Sequence, residues 1–179
     1  MHIDLDPQGE ISPVGLFVLT DCHVTDAYVR WLNDPIINRY LESRFVAHTV
    51  QSTKAYVEQH GRSPNNVLLG IGSRKLGMHV GNVKIGPIDW NHGTSEVGIL
   101  IGEREVWGSG IATFVITMVS EIARTRLMLR KLTAGCYASN VGSRKAFDKA
   151  GFAIEGVQRH QCLLDGKPED LILMGRYLA

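Results

Sequence analysis

The segment Val106-Trp107-Gly108-Ser109-Gly110-Ile111-Ala112-Thr113 carries most of the information about this chain. It follows a strand-like run over residues 95–102 and opens an amphipathic helix. Two glycines one residue apart let the backbone turn tightly and leave its N–H groups uncovered by side chains. The helix behind them adds unpaired N-terminal donors and a partial positive charge. Together these features predict a binding site for a phosphate group.

The composition is that of an ordinary globular domain. The 179 residues are 44% hydrophobic and 21% charged, with a formal net charge of +1. One domain over residues 1–179 is therefore expected, with no electrostatic reason for a nucleic-acid or anionic-membrane partner. Residues 1–10 hold three acids and no Lys or Arg, so no signal peptide is expected. No apolar run approaches the roughly 20 residues that span a bilayer.

The three cysteines predict a reducing environment. Cys22, Cys136 and Cys162 are isolated, odd in number and without the spacing of a metal site. We therefore expect reduced, buried thiols in a cytoplasmic protein that holds no metal. A catalytic cysteine stays open in principle, although none lies in a recognisable activating setting.

The first third of the chain predicts one strand and then helices. The strand covers residues 14–20, and Thr25 is expected to cap a short helix. A second helix is expected to begin at Pro35, which follows a break in the pattern. Thr49 is the expected cap of a third helix that stops before Gly61.

The middle of the chain changes to strand periodicity, and the last part alternates helices and strands. Three strands are predicted over residues 67–73, 77–85 and 95–102, in the order of an antiparallel meander. Helices are expected over residues 109–127 and 140–150, separated by a strand at residues 131–138. Strands over residues 152–164 and 171–178 close the chain around a turn at Asp165-Gly166. The element order predicts a single mixed α/β domain.

Two segments together resemble the GNAT N-acetyltransferase superfamily. The first is the phosphate loop Gly108-Ser109-Gly110-Ile111-Ala112. The second is Asn140-Val141-Gly142-Ser143-Arg144-Lys145-Ala146-Phe147-Asp148-Lys149-Ala150-Gly151-Phe152, which looks like that family's asparagine helix with its Lys-x-Gly-Phe exit. The segment Trp31-Leu32-Asn33-Asp34-Pro35 is similar to the opening of the branch that contains ribosomal-protein N-terminal and amino-sugar acetyltransferases. The resemblance extends from about Val14 to Tyr177.

The resemblance implies a GNAT-like α+β fold, in which a mostly antiparallel central sheet with a splayed parallel strand pair is flanked by helices. Acetyl-CoA would lie as co-substrate between the parallel strands, here residues 95–102 and 131–138, where its amides can pair with open strand edges. The residues expected to bind it are Ile99, Leu100, Ile101, Trp107, Gly108, Ser109, Gly110, Ile111, Ala112, Asn140 and Ser143. Asn140 has a competing explanation as an ordinary helix cap.

Transfer to an amine needs a base, because an ammonium cannot attack a thioester until it loses a proton. Glu96 is the candidate, and a surface acid paired with a basic neighbour is its alternative explanation. His79 and His92 are rival bases, but both are expected to be solvated in or beside turns. Many members of the superfamily protonate the departing thiolate with a tyrosine at the position of Phe147, which cannot do so. Ser143, one turn earlier, is therefore the candidate donor to the sulfur.

Basic and aromatic residues interleave in a segment that walls the acceptor cleft in this superfamily. They are Arg39, Tyr40, Arg44 and Phe45, with Arg159 and His160 expected on the opposite wall. Arginines bind diphosphates well, so a nucleotide-linked amino sugar is the preferred acceptor. A protein N-terminal amine, as on a ribosomal protein, is the alternative acceptor. A solvated, charged helix face explains the same pattern without any ligand.

The sequence therefore predicts an acyltransferase that passes acetyl directly to a small-molecule or peptide amine. A module that binds acyl-CoA without turnover is the alternative, because Phe147 replaces the usual tyrosine. A dinucleotide site fits poorly, since Thr113 stands where a third glycine belongs. Trp31, Trp107 and Phe152 are expected to be core aromatics. Pairing of the last strands would make a homodimer, which nothing in the sequence demands.

Overall fold

The computed structural model describes residues 12–178, in which seven strands form one mixed sheet in the order β1-β2-β3-β4-β5-β7-β6. The strands are β1 (Val14–Val18), β2 (Val67–Ser73), β3 (Met78–Asp89), β4 (Thr94–Ile101), β5 (Lys131–Tyr137), β6 (Ala153–Leu164) and β7 (Lys167–Tyr177). The helices are α1 (Asp26–Asn33), α2 (Val50–Arg62), α3 (Ile111–Thr125) and α4 (Val141–Lys149). The predicted α/β fold is confirmed. The expectations for residues 1–10, and for a domain that ends at residue 179, lie outside the described residues.

Threonine caps begin α1 and α2 as predicted. The hydroxyl of Thr25 accepts an N–H from the first turn of α1, and Thr49 forms a capping box at the start of α2. The expected stop before Gly61 is wrong, because α2 continues through this exposed glycine to Arg62. It ends at Ser63, the residue before a proline, where the α conformation is disfavoured.

The helix predicted to begin at Pro35 does not form. Residues 35–40 make turns, and a short 3-10 helix follows over Glu42–Phe45. The carboxylate of Asp34 accepts the N–H of Ile36 at 2.8 Å, and buried Asn38 donates to a backbone carbonyl of α1 at 2.8 Å. Such local bonds between side chains and backbone compete with helical hydrogen bonding. The chain therefore forms a compact turn next to the C-terminal end of α1.

Two hydrophobic clusters pack on the two faces of the sheet. The larger cluster joins the sheet to α3 and α4 and includes fully buried Val97, Val115 and Leu132. The smaller one packs α1 and α2 on the opposite face, around Tyr28 and Trp31. Burial of each such side chain contributes about 1.5–3 kcal/mol to folding. Among residues 12–178, no helix has both the length and the apolar character needed to cross a bilayer.

The sheet contains one parallel contact, and it is short. Residues 94–96 of β4 pair with residues 131–133 of β5, and after that point the two strands no longer pair. The remaining residues of β4 pair only with β3, while β5 continues along β7. The splayed parallel pair that the resemblance implies is therefore present, and it opens toward the end of β4.

Candidate active site

A cavity of about 1270 Å³ lies where β4 and β5 separate. One wall, here called the loop side, is formed by some of the residues in the segments 106–113 and 140–147. The other wall, here called the turn side, is formed by some of the residues in the segments 37–45 and 84–87, together with Glu96, Gly98 and Tyr137. The sequence-predicted residues that line the cavity are Tyr40, Phe45, Glu96, Ile99, Leu100, Ile101, Trp107, Gly108, Gly110, Ile111, Ala112, Asn140 and Ser143. Those that do not are Arg39, Arg44, Ser109, Arg159 and His160.

The loop before α3 exposes main-chain donors to the cavity. Gly108 and Gly110 have φ values of 73° and 88°, in the left-handed region that favours glycine. A Cβ at either position would meet no atom within 4 Å, so the space above the loop is open. In the described part of the chain, no acceptor takes the N–H groups of residues 110–113. A helix N-terminus with free main-chain donors is an arrangement that suits an anion. The hydroxyl of Ser109 instead donates to the backbone of Val106.

Trp107 is not the core aromatic that the sequence predicts. Its side chain is 44% exposed, and its indole N–H donates to the carbonyl of Ile101 at 2.9 Å. This bond joins the loop to the end of β4, and the side chain lines the cavity instead of packing in the core. Trp31 and Phe152 are buried, as expected.

Asn140 caps α4 and faces the cavity as well. Its Oδ1 accepts the N–H of Ser143 at 3.2 Å, while its Nδ2 has no acceptor within residues 12–178. The cap and a ligand contact can therefore use different atoms of one amide. The hydroxyl of Ser143 lies 3.5 Å from Sγ of Cys136, whose pKa is raised by burial. Phe147 is buried edge-to-face against Phe152 and offers no polar atom.

A hydrogen-bond network on the turn side was not foreseen from the sequence. The hydroxyl of Tyr137 donates to Glu42, and Arg44 donates to the Tyr137 oxygen at 2.9 Å. Arg44 also donates to the backbone carbonyls of Leu41 and Leu163, at 2.7 and 2.8 Å. Burial, and then the hydrogen bond to Glu42, raise the pKa of Tyr137, so the phenol remains a neutral donor. Glu42 and Tyr137 stand 95 residues apart, which is why no local pattern indicated the network.

The two arginines expected to bind an anionic acceptor both have partners within the protein. Arg39 forms an exposed ion pair with Asp165 at 2.7 Å. Arg44 has a side chain that is only 11% exposed, and its donors hold the network around Tyr137. Within residues 12–178, no arginine lines the cavity. The geometry thus provides no arginine pair for a diphosphate.

Arg159 and His160 lie in a bulge of β6 instead of on the cavity wall. The register with β7 shifts between Gln158 and Cys162, and His160 has a φ of 55°. Its N–H donates to Asp170 at 2.8 Å, and the side chains of both residues are exposed. Because a bulge alters the alternation of side chains along a strand, Gln161 and Cys162 line the cavity in their place.

The candidate bases occupy three different environments. Glu96 is exposed on the turn side, in the cavity. His92 is exposed in the turn after β3, outside the cavity. His79 is half-buried rather than solvated, with ring centroids of Phe17 and Trp31 at 5.3 and 5.1 Å, and this burial lowers its pKa. The prediction for His79 failed because its packing partners come from distant segments.

The cysteines form no disulfide, and the described part of the chain has no cluster of metal ligands. Cys136 is buried, Cys162 is half-buried and Cys22 is exposed, and none forms a disulfide. The expectation of three buried thiols is wrong for Cys22, which lies in a surface 3-10 helix over Asp21–His23. No cluster of three or more His, Cys, Asp or Glu residues that could hold a metal ion occurs among residues 12–178.

Comparison with known proteins places this geometry in a family. A model of the acetyltransferase (GNAT) domain matches residues 16–153. A probable N-acetyltransferase of Bacillus subtilis, YjcK, is 36% identical over 63 residues, which make up 35% of each protein. A putative phosphinothricin acetyltransferase of the same organism, YwnH, is 36% identical over 86 residues, 48% of this chain and 52% of the relative. These matches therefore span about a third and a half of the relatives' own lengths.

A solved structure shows the same fold over nearly the full chain. Spermidine N-acetyltransferase from Vibrio cholerae, in complex with CoA and spermine, superposes with a TM-score of 0.83. The alignment covers 93% of this chain and 96% of that protein at 18% identity, so it supports the fold alone. The family match covers most of the chain, including the loop before α3 and the asparagine helix. This chain belongs to the GNAT acetyltransferase family.

Proposed function

We propose that the protein is an acetyl-CoA-dependent N-acetyltransferase that passes acetyl directly to a primary amine. The observation that carries this proposal is the parting of β4 and β5 after three residue pairs, next to a loop of free main-chain donors. An open strand edge and an anion site at one cavity suit a long ligand with amide groups and a diphosphate.

Acetyl-CoA is the co-substrate, and when bound it supplies an acyl group activated as a thioester. The N–H groups of residues 110–113 are oriented for its diphosphate. The unpaired edge of β4 offers main-chain partners for the pantetheine amides, and Nδ2 of Asn140 is a further donor there. We assign the loop side to the coenzyme for these reasons.

The remaining steps are proton transfers, which we assign to side chains of the protein. We assign Glu96 to receive the proton of the acceptor ammonium, because its carboxylate is exposed in the cavity. The hydroxyl of Ser143 is assigned to hydrogen-bond the leaving sulfur. Cys136 lies beside Ser143, but its raised pKa keeps it a thiol, so direct transfer needs no acyl-cysteine.

A small primary amine is the acceptor that we favour. Glu42 and Glu96 place carboxylates on the turn side among the aromatic rings of Tyr40, Phe45 and Tyr56. YwnH, which is 36% identical over 86 residues, is named for a small amino compound. The nucleotide-linked amino sugar has less support, because protein partners hold Arg39 and Arg44 and neither residue lines the cavity. A protein N-terminal amine is the alternative acceptor.

The protein is proposed to be cytoplasmic. Three unpaired thiols are typical of proteins in reducing compartments.

The oligomeric state is a separate question. The strand β6 lies at the edge of the sheet, where a second copy could add its own strand. Light scattering of the purified protein tests whether such a homodimer forms.

Incubation with acetyl-CoA and a panel of amines tests the activity. We expect at least one amine to accelerate release of the CoA thiol and to gain the mass of one acetyl group. Tight CoA binding in calorimetry without turnover of any amine would instead support the acyl-CoA-binding module. Failure to bind CoA at millimolar concentration would rule out both.

A further inference from the structure

Two opposite charges on the turn side have no partner within residues 12–178, and this inference about them rests on the proposed function. Lys84 of β3 is directly opposite Gly98 of β4 in the antiparallel register, and Glu96 precedes Gly98 by two residues. Side chains two residues apart on a strand share a face, so Lys84 and Glu96 project from the same side of the sheet. Such diagonal neighbours have backbones about 7–8 Å apart.

Neither charge is neutralised by the part of the chain that the structure describes. Both residues line the cavity, and their side chains form no hydrogen bond or ion pair within residues 12–178. They do not pair with each other either, because no Lys84 nitrogen lies within 4.0 Å of a Glu96 oxygen. Two unpaired, opposite charges at this spacing leave room for a ligand that carries both signs.

The strand surface beside the two charges is open at Gly98. A Cβ built on Gly98 meets no atom within 4 Å, so the space above its Cα is empty. Phe45 and Tyr56 line the same cavity. A small ligand can therefore reach the backbone of β4 with one end toward Lys84 and the other toward Glu96.

We propose that Lys84 binds the carboxylate of the acceptor while Glu96 holds its ammonium, so that the acceptor is a free α-amino acid. In an α-amino acid both groups are attached to one carbon, which suits two opposite charges at diagonal positions of neighbouring strands. A peptide N-terminus has an uncharged amide in place of the carboxylate and leaves Lys84 without a partner. A polyamine would bring a second cation toward Lys84 and is disfavoured by repulsion.

Comparison of acids with their amides tests the inference. The twenty common L-amino acids and their carboxamides are assayed with acetyl-CoA. We expect at least one amino acid to exceed its carboxamide in kcat/KM by roughly 10- to 100-fold, the range for a charged hydrogen bond. K84M should remove this preference by raising KM with kcat nearly unchanged, because it removes a binding contact. The same loss of affinity should appear in calorimetry of the amino acid with the CoA-bound protein.

Two further variants keep the test decisive. K75M removes an exposed lysine from the turn between β2 and β3 and should leave the preference intact. G98V fills the open space above Gly98, so it should weaken amino-acid binding while CoA affinity is kept. Equal use of acids and amides, or an unchanged preference in K84M, would overturn the inference and leave the N-acetyltransferase proposal standing. If no amine at all is acetylated, both fail.

Discussion

The loop side and the turn side of the cavity are built from different kinds of atoms. On the loop side the free polar groups are mostly main-chain N–H donors of one short stretch, residues 110–113. On the turn side they are side chains from separate segments, among them Glu42, Lys84 and Tyr137. A main-chain site depends on backbone conformation, whereas a side-chain site depends on the identity of each residue. The two walls should therefore respond to different mutations.

The largest effect is expected from Glu96 on the turn side. E96Q keeps the shape of the side chain but removes the proton acceptor, so kcat should fall by about 10²–10⁴-fold. CoA affinity, measured by calorimetry, should be unchanged because Glu96 lies on the other wall. E58Q, an exposed acid on α2, is the matched control. A normal kcat in E96Q would show that another group is the base, and that the turn side does not carry the proton transfer.

A backbone change should damage the loop side next most strongly. G110V places a β-branched residue at a φ of 88°, and we expect CoA to bind roughly 10- to 100-fold more weakly. The left-handed conformation itself costs about 1–2 kcal/mol of stability. G77V imposes a similar cost at a φ of 64°, in a turn away from the cavity, and should leave CoA affinity unchanged. Equal affinities in the two variants, measured by calorimetry, would contradict a main-chain anion site.

A smaller effect is expected from Tyr137, which orders the turn side. Y137F removes the donor to Glu42 and the acceptor for Arg44, so the free energy of unfolding should drop by about 1–2 kcal/mol. The KM for the amine should rise several-fold while CoA affinity stays the same. Y28F, a buried aromatic in the cluster beneath α1, serves as the control and should leave KM unaltered. Urea titrations and steady-state kinetics give both quantities.

The smallest effect lies outside both walls, at His79. Burial holds the pKa of His79 in the folded protein below its value in the unfolded chain. Above about pH 6.5 the imidazole is neutral in both states, so its burial does not make stability depend on pH. As the pH falls through that value, the unfolded chain binds a proton first and stability is lost, by at most about 1.4 kcal/mol per pH unit. Urea titrations between pH 7.5 and 5 should show a shallower loss for H79Q. Identical pH slopes in the two proteins would show that His79 takes up its proton equally in both states.

The difference between the walls also explains what the sequence could predict. The glycine loop, α3 and the asparagine helix are contiguous, and their turn chemistry and periodicity are local signals. Gly151 follows the asparagine helix with a φ of 86°, in the left-handed region that glycine adopts readily after a helix. The parting of β4 and β5 was implied by the family resemblance, which includes a splayed parallel strand pair.

The contacts of the turn side could not be predicted, because they join residues that are far apart in the sequence. Asp34 and Asn38 divert the chain into turns at Pro35, although the apolar spacing favours a helix. Arg44 carries a charge typical of a solvated face, yet it is buried by partners on β5 and β6. The isolation of Lys84 depends on a strand register that no local pattern determines. Each outcome is set by tertiary packing.

The early parting of β4 and β5 leaves a free sheet edge inside the molecule, a feature that most folds avoid. A ligand that covers this edge binds only the native chain, and at 100 times its dissociation constant it adds about 2.7 kcal/mol to the native state. Cells that run short of the acyl donor would therefore hold a less stable protein, one more open to proteolysis. Abundance of the catalyst and supply of its donor would then fall together.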